Sequence, residues 1–265
     1  MRRQLHTGWK RRNNMVHFVG AGSGAADLIT VRGARLLHEA DVVIYAGSLV
    51  NPELLAYASE AAEIHNSAAM TLEEVMAVIR AAEAAGKTTV RLHTGDSSIY
   101  GAVREQFDLL EACGIEYDVC PGVSSFCGAA AALKAEYTLP GISQTVIISR
   151  AAGRTPVPAR ESIRSLAAHG ATMILFLSMG MIDSLQAELI EGGVAPEMPA
   201  AIVYKATWPD ERIYRCTVGA LAATARENRV TKTALVIVGG FLGHEYDRCK
   251  LYSPDFSTEF RSAKL

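Results

Sequence analysis

The chain lacks the usual signatures of several chemistries. It has no Cys-x-x-Cys, and its five cysteines (Cys113, Cys120, Cys127, Cys216, Cys249) are scattered. An odd, dispersed set fits a reducing cytoplasm better than a disulfide framework. None of its seven histidines pairs with another at a ligand spacing such as i, i+4, so no metal site is expected. No Gly-x-Ser-x-Gly elbow exists, which leaves acyl transfer unsupported. Net charge is −2, so bulk electrostatics do not favour nucleic acid. The most apolar run, Met173 to Leu177 with its flanks, is too short to span a bilayer. No acid balances the arginines and lysine of residues 1–14. That stretch also lacks the apolar core of a secretory signal, and is expected to be a loosely ordered extension.

What is present is a core-forming chain of 265 residues, 49% hydrophobic, long enough for one large or two medium domains. Short apolar runs alternate with helical spacing and predict strands at 15–19, 41–45, 62–65, 87–90 and 115–119. Helices are expected from Thr30 to Glu39, after Asn51-Pro52, over 71–85 with Thr71 and Glu74 as a capping box, over 102–113, and after Ser125. This alternation argues for a largely parallel sheet covered by helices. Thr138-Leu-Pro-Gly141 reads as the break between units 15–139 and 140–242. The second unit has expected strands at 144–149, 172–177, 200–204, 212–217 and 234–238, with helices between them, and reads as mixed. Residues 243–265 read as a polar tail.

The organising stretch is Arg91 to Gly101, Arg-Leu-His-Thr-Gly-Asp-Ser-Ser-Ile-Tyr-Gly, placed where a strand ends and a loop opens. In open α/β sheets ligands bind beyond the carboxyl ends of the strands. Gly95 would let backbone approach a ligand, and Asp96 would offer an acceptor-only carboxylate. A plain turn with Asp96 as a helix cap is the competing reading. Gly20-Ala-Gly-Ser-Gly24 invites a dinucleotide reading. The helix starts too late for that, Asp27 has the wrong charge beside a phosphate, and no acid follows Tyr45 to bind a ribose. Close approach of some other ligand remains open there. Pro121-Gly-Val-Ser-Ser125 is a second loop on the same rim, suited to a carboxylate or flat ring, or simply a serine cap. Arg150 and Arg154 share one loop of the second unit, and Lys205 lies in Tyr204-Lys-Ala-Thr-Trp-Pro-Asp-Glu211. Arginine forks match carboxylates, although a solvated loop would look the same.

In this order and spacing, the loops resemble one family, the tetrapyrrole methylases, from about Val16 to Leu242. Within it, Ser149 to Pro158 and Tyr204 to Asp210 look like the branch that methylates carbon 11 of precorrin-4 in cobalamin biosynthesis. Two departures loosen loops: Ser23, Ala25 and Ala26 in the glycine loop, and Ser97 where the family usually has proline. The resemblance implies two α/β lobes of the class III methyltransferase type, with S-adenosyl-L-methionine folded in the cleft between them, usually in a homodimer. It implies Thr94, Gly95, Asp96, Ile99, Ser124, Ser125, Leu177 and Ala206 as cofactor positions, with Ser23 and Thr233 as further ones. Gly24 and Asp27, with Arg150, Arg154 and Lys205, are expected to hold a polycarboxylate tetrapyrrole. No metal and no covalent intermediate are needed, because the sulfonium is already activated. A nicotinamide oxidoreductase and a non-catalytic binding protein are the rivals from other classes.

Overall fold

A computed structural model describes residues 14–264, so the basic extension, apart from Asn14, lies outside the described residues. The chain forms two compact units that divide after Ser125, rather than at the Thr138–Gly141 break. The reason is the alanine-rich helix that follows. Its Ala129 and Leu133 pack with Ile174, Ala201, Val203 and Ile237, so it belongs to the second core.

The first unit is a five-stranded parallel sheet in the order β3-β2-β4-β1-β5. Its strands are β1 (Val16–Gly20), β2 (Val42–Tyr45), β3 (Glu63–Asn66), β4 (Thr89–His93) and β5 (Tyr117–Cys120). Three helices cover it: α1 (Val31–Glu39), α2 (Leu72–Ala84) and α3 (Arg104–Ala112). Helix α1 begins where Thr30 accepts from the Gly33 amide, and α2 begins on the expected Thr71/Glu74 capping box. Asn51-Pro52 opens a 3-10 turn, Pro52–Tyr57, rather than an α-helix. Side chains alternate across β1 and β4, as a pleat requires. Val19, Val90 and Leu92 face α1, while Val16 and Phe18 face α2 and α3.

The chain leaves β1 for β2 on one face and leaves β4 for β5 on the other. Since β1 and β4 are neighbours, their carboxyl ends form the topological switch point, where this class of sheet carries its ligands.

The second unit starts with α4 (Ser125–Leu133), whose first residue closes unit one. It continues with β6 (Val146–Arg150), α5 (Ile163–Ala167), β7 (Thr172–Phe176), α6 (Ile182–Glu191), β8 (Pro199–Tyr204), β9 (Arg212–Thr217), α7 (Leu221–Glu227) and β10 (Ala234–Val238). The sheet order is β6-β7-β10-β8-β9. Only β6 and β7 run parallel, which makes it the mixed sheet expected. Met173, Leu175, Ile202 and Val236 face α5, α6 and α7, while Ile174, Val203 and Ile237 face α4. No helix among the described residues is long and apolar enough to cross a membrane.

Candidate active site

In the first unit the carboxyl ends of β1, β4 and β5 meet backbone to backbone. Gly22 and Gly95 exchange two hydrogen bonds, Gly95 N to Gly22 O at 2.9 Å and Gly22 N to Gly95 O at 3.2 Å. A Cβ on Gly20 would lie 2.6 Å from Gly122 Cα and 2.6 Å from Gly95 O. Glycine is therefore required so that three strand exits can touch each other. The sequence leaves close approach of some ligand open at this loop; the close approach in the structure is between strand exits. Gly24 is buried, and its carbonyl accepts from Asn51 Nδ2 at 3.0 Å, which ties in the exit of β2. Asp27 stands exposed on a 3-10 turn, Ala26–Leu28.

Asp96 is the bolt of this rim. Its Oδ1 accepts from the Ser98 amide at 2.9 Å and from the Ser98 hydroxyl, and its Oδ2 accepts from the Gly122 amide at 2.8 Å. Burial pushes the carboxyl pKa up, but the hydrogen bonds from Ser98 and Gly122 outweigh it and the net shift is down. The carboxylate therefore joins the loop after β4 to the loop after β5, which goes beyond the helix cap of the competing reading. The same loops bring Gly95 close to Ser124 and Ser125: a Cβ on Gly95 would lie 3.4 Å from Ser124 Cα and 3.5 Å from the Ser125 nitrogen, while Thr94 and Ile99 flank Gly95 and Asp96 on the loop after β4. Ser23 and Ser124 are both buried there.

Two buried polar atoms at the same strand end, His93 Nε2 and Thr94 Oγ1, have no hydrogen-bond partner. His93 stacks on Phe18, with ring centroids 5.9 Å apart. Burial and, secondarily, the Arg91 charge push its pKa down to about 3, so the imidazole is neutral at any working pH.

In the second unit, three adjacent strands end together. Tyr204 of β8 pairs with Ala234 of β10, and Leu175 of β7 with Val236. At that edge Leu177, Lys205, Thr207 and Thr233 have φ of 53°, 46°, 67° and 55°. Left-handed backbone is uncommon for non-glycine residues and anomalous for threonine, and such strain clusters at ligand sites. Leu177, Ala206 and Thr233, expected as cofactor positions, are thus brought to one edge, with Leu177 exposed and Ala206 buried. The amide of Lys205 donates to Thr233 O at 2.9 Å and fixes the two loops together.

Two expected substrate cations are already engaged. The Arg150 guanidinium donates to the carbonyls of Ala151, Thr155 and Pro156 at 3.3, 3.1 and 2.9 Å, closing its own loop. Lys205 Nζ lies 2.6 Å from Asp210 and sits over the rings of Tyr204 and Trp208. Arg154 remains exposed on the same loop as Arg150.

Residues 15–222 match the family described as tetrapyrrole (corrin/porphyrin) methylases. The chain belongs to that family. It is 51% identical over 252 residues to the cobalt-precorrin-4 C(11)-methyltransferase of Methanocaldococcus jannaschii, covering 95% of this chain and 97% of that protein. The crystal structure of a cobalamin biosynthetic enzyme, cobalt precorrin-4 methyltransferase, superposes with a TM-score of 0.85 at 45% identity, over 87% of this chain and 96% of the other. The Thermus thermophilus uroporphyrin-III C-methyltransferase, solved with S-adenosylhomocysteine, gives a TM-score of 0.72 at 28% identity, over 86% of this chain and 93% of the other. As a tetrapyrrole methylase, the chain has two α/β units that correspond to the expected fold. Its glycine loop is accounted for by strand-end packing.

Proposed function

We propose that this methylase transfers a methyl group from S-adenosyl-L-methionine to carbon 11 of precorrin-4, or of its cobalt form, in cobalamin biosynthesis. The observation that carries the reading is the near full-length match to the archaeal relative that is named for that reaction. When bound, the cofactor supplies a methyl group on a sulfonium, open to attack by a nucleophilic ring carbon. The protein then has to align the two partners and keep water out.

The residues fit that task. Thr94 Oγ1 is a buried hydroxyl without a partner, suited to a polar group of the cofactor. By the family resemblance, Gly95, Asp96, Ile99, Ser23, Ser124 and Ser125 would form its surroundings, with Leu177, Ala206 and Thr233 as further cofactor positions. His93 stays neutral and is not a cationic partner for substrate carboxylates. Gly24 and Asp27 are proposed near the substrate on the family resemblance alone; Gly24 is buried with its carbonyl bonded to Asn51, and Asp27 is exposed. Of the cations, Arg154 is the one suited to grip a carboxylate directly, while Arg150 and Lys205 shape the loops. We place the enzyme in the cytoplasm as a homodimer; its cysteines are free thiols, which fits a reducing compartment.

Calorimetry should show S-adenosylhomocysteine binding and no heat from NADH. Incubation with labelled cofactor and precorrin-4 should then place the label on carbon 11 by NMR. Tight NADH binding, or a methyl group elsewhere on the ring, would overturn the reading.

Asp96→Ala should lose both stability and cofactor affinity. Each bond lost at this partly buried carboxylate costs on the order of 1.5 kcal/mol. The contribution is complete above the usual carboxylate pKa and fades as pH falls through the lowered folded-state value. Thermal melts and S-adenosylhomocysteine titrations measure the two losses separately; an unchanged melt would contradict the bridge to Gly122.

A further inference from the structure

Arg91 is an arginine inside a sheet. It is 6% exposed, and it donates to two neutral acceptors. Nε donates to Gln106 Oε1 at 3.1 Å and Nη1 to the Ile44 carbonyl at 3.2 Å. Burial lowers its pKa to about 10, so it remains charged. A guanidinium can only donate, which obliges Gln106 to present its oxygen. The amide NH2 of Gln106, itself 4% exposed, must then point the other way. It donates to the Ala102 carbonyl at 2.9 Å.

Ala102 is where the Thr94–Gly101 loop ends, and the backbone there is strained. Tyr100 and Ala102 have φ of 55° and 48°. Helix α3 starts only at Arg104, later than residue spacing predicts, because Ala102 is left-handed. The loop is thus tied at three points: Gly95 to Gly22 at its entry, Asp96 to Gly122 in its middle, and Ala102 to Gln106 at its exit.

We propose that Arg91 and Gln106 are positioning residues: the buried guanidinium orients the Gln106 amide, which holds Ala102 left-handed and keeps the loop in its cofactor-binding shape. The proposal rests on the reading that this loop holds S-adenosylmethionine. Neither residue touches the ligand; both act through Ala102.

Gln106→Glu separates the two halves of the relay. Its carboxylate still accepts from Arg91, and gives the buried cation a counter-charge. It cannot donate to Ala102 O and repels it. The melting temperature should hold or rise, while S-adenosylhomocysteine affinity falls tenfold or more by calorimetry. A purely structural role would move both in the same direction. Gln106→Met removes both bonds at similar volume, and should also weaken binding at least tenfold. Adding Ala102→Gly to Gln106→Met should recover part of that loss, because glycine adopts positive φ without the tie. If the parent binds and Gln106→Glu binds equally well, the relay is refuted. If Gln106→Glu instead unfolds, absence of glycine rescue in the Gln106→Met background refutes it. A parent that fails to bind S-adenosylhomocysteine removes the cofactor reading itself, a separate failure visible before any variant is made.

Discussion

Gly122→Ala should be the most damaging single-methyl change in the first unit. The new Cβ would lie 2.1 Å from Gly95 O and 2.7 Å from Gly20 Cα, both backbone atoms. No side chain can swing aside, so the strand exits of β1, β4 and β5 must part. Over-packing in cores costs about 1–3 kcal/mol where side chains can adjust, and here they cannot. Parting the loops also strips the Gly122 amide from Asp96, a charge-assisted bond worth about 1.5–3 kcal/mol. Together these predict a fall in Tm of about 10 °C or more, with S-adenosylhomocysteine binding lost. Gly180→Ala is the control, since a Cβ there meets nothing within 4 Å. If the two variants melt together, the three backbones are not in contact.

The second large effect is on acid stability. His93 has an ordinary pKa of 6.5 when unfolded and about 3 when folded. Between those values the unfolded chain binds a proton that the folded chain refuses, so stability rises with pH across that window. Lowering pH from 7 to 4 should therefore cost about 3 kcal/mol through this one residue, at 1.36 kcal/mol per pKa unit. Below pH 3 this contribution stops growing. His93→Phe keeps a flat ring against Phe18 and removes the titration. Its stability, measured by urea unfolding at pH 7 and pH 4, should decline by about 3 kcal/mol less than the parent's. Parallel declines would mean the imidazole is protonated in the native protein.

The fold was largely legible because local signals and burial agreed. Thr30 caps α1 as its spacing suggests, and Thr71 with Glu74 opens α2. The unit boundary was misplaced because an alanine-rich helix does not declare which sheet it covers; only packing assigns α4 to the second. At the site, order and spacing of the loops pointed to one rim, where the exits of β1, β4 and β5 do meet, but not to what its residues do there. A glycine that lets a ligand approach and one that lets a neighbouring strand approach look identical in sequence, and Gly20 and Gly122 are the second kind. Arg150 and Lys205 read as free cations because their partners are set by turn geometry: backbone carbonyls for one, Asp210 and two rings for the other. The left-handed backbone at Leu177, Thr207 and Thr233 runs against residue preference, so nothing in the chain announces it. Gln106 carried no signal either, because its role depends on a strand residue fifteen positions earlier.

The strand order of the first sheet also fixes when this site can come into being on the ribosome. β1 and β2 do not pair with each other; each pairs with β4. A nascent chain that has emerged only as far as Gly86 can pair at most β2 with β3 and leaves β1 without a neighbour, with open edges on both. The arrival of Thr89–His93 joins them, and the same event must strip water from Arg91 as it enters the sheet. Long-range pairing of this kind is slow and leaves edges exposed to other chains while it waits. Synthesis and chaperone supply thus bear on one short strand, which joins the half-made sheet and carries the loop that follows it.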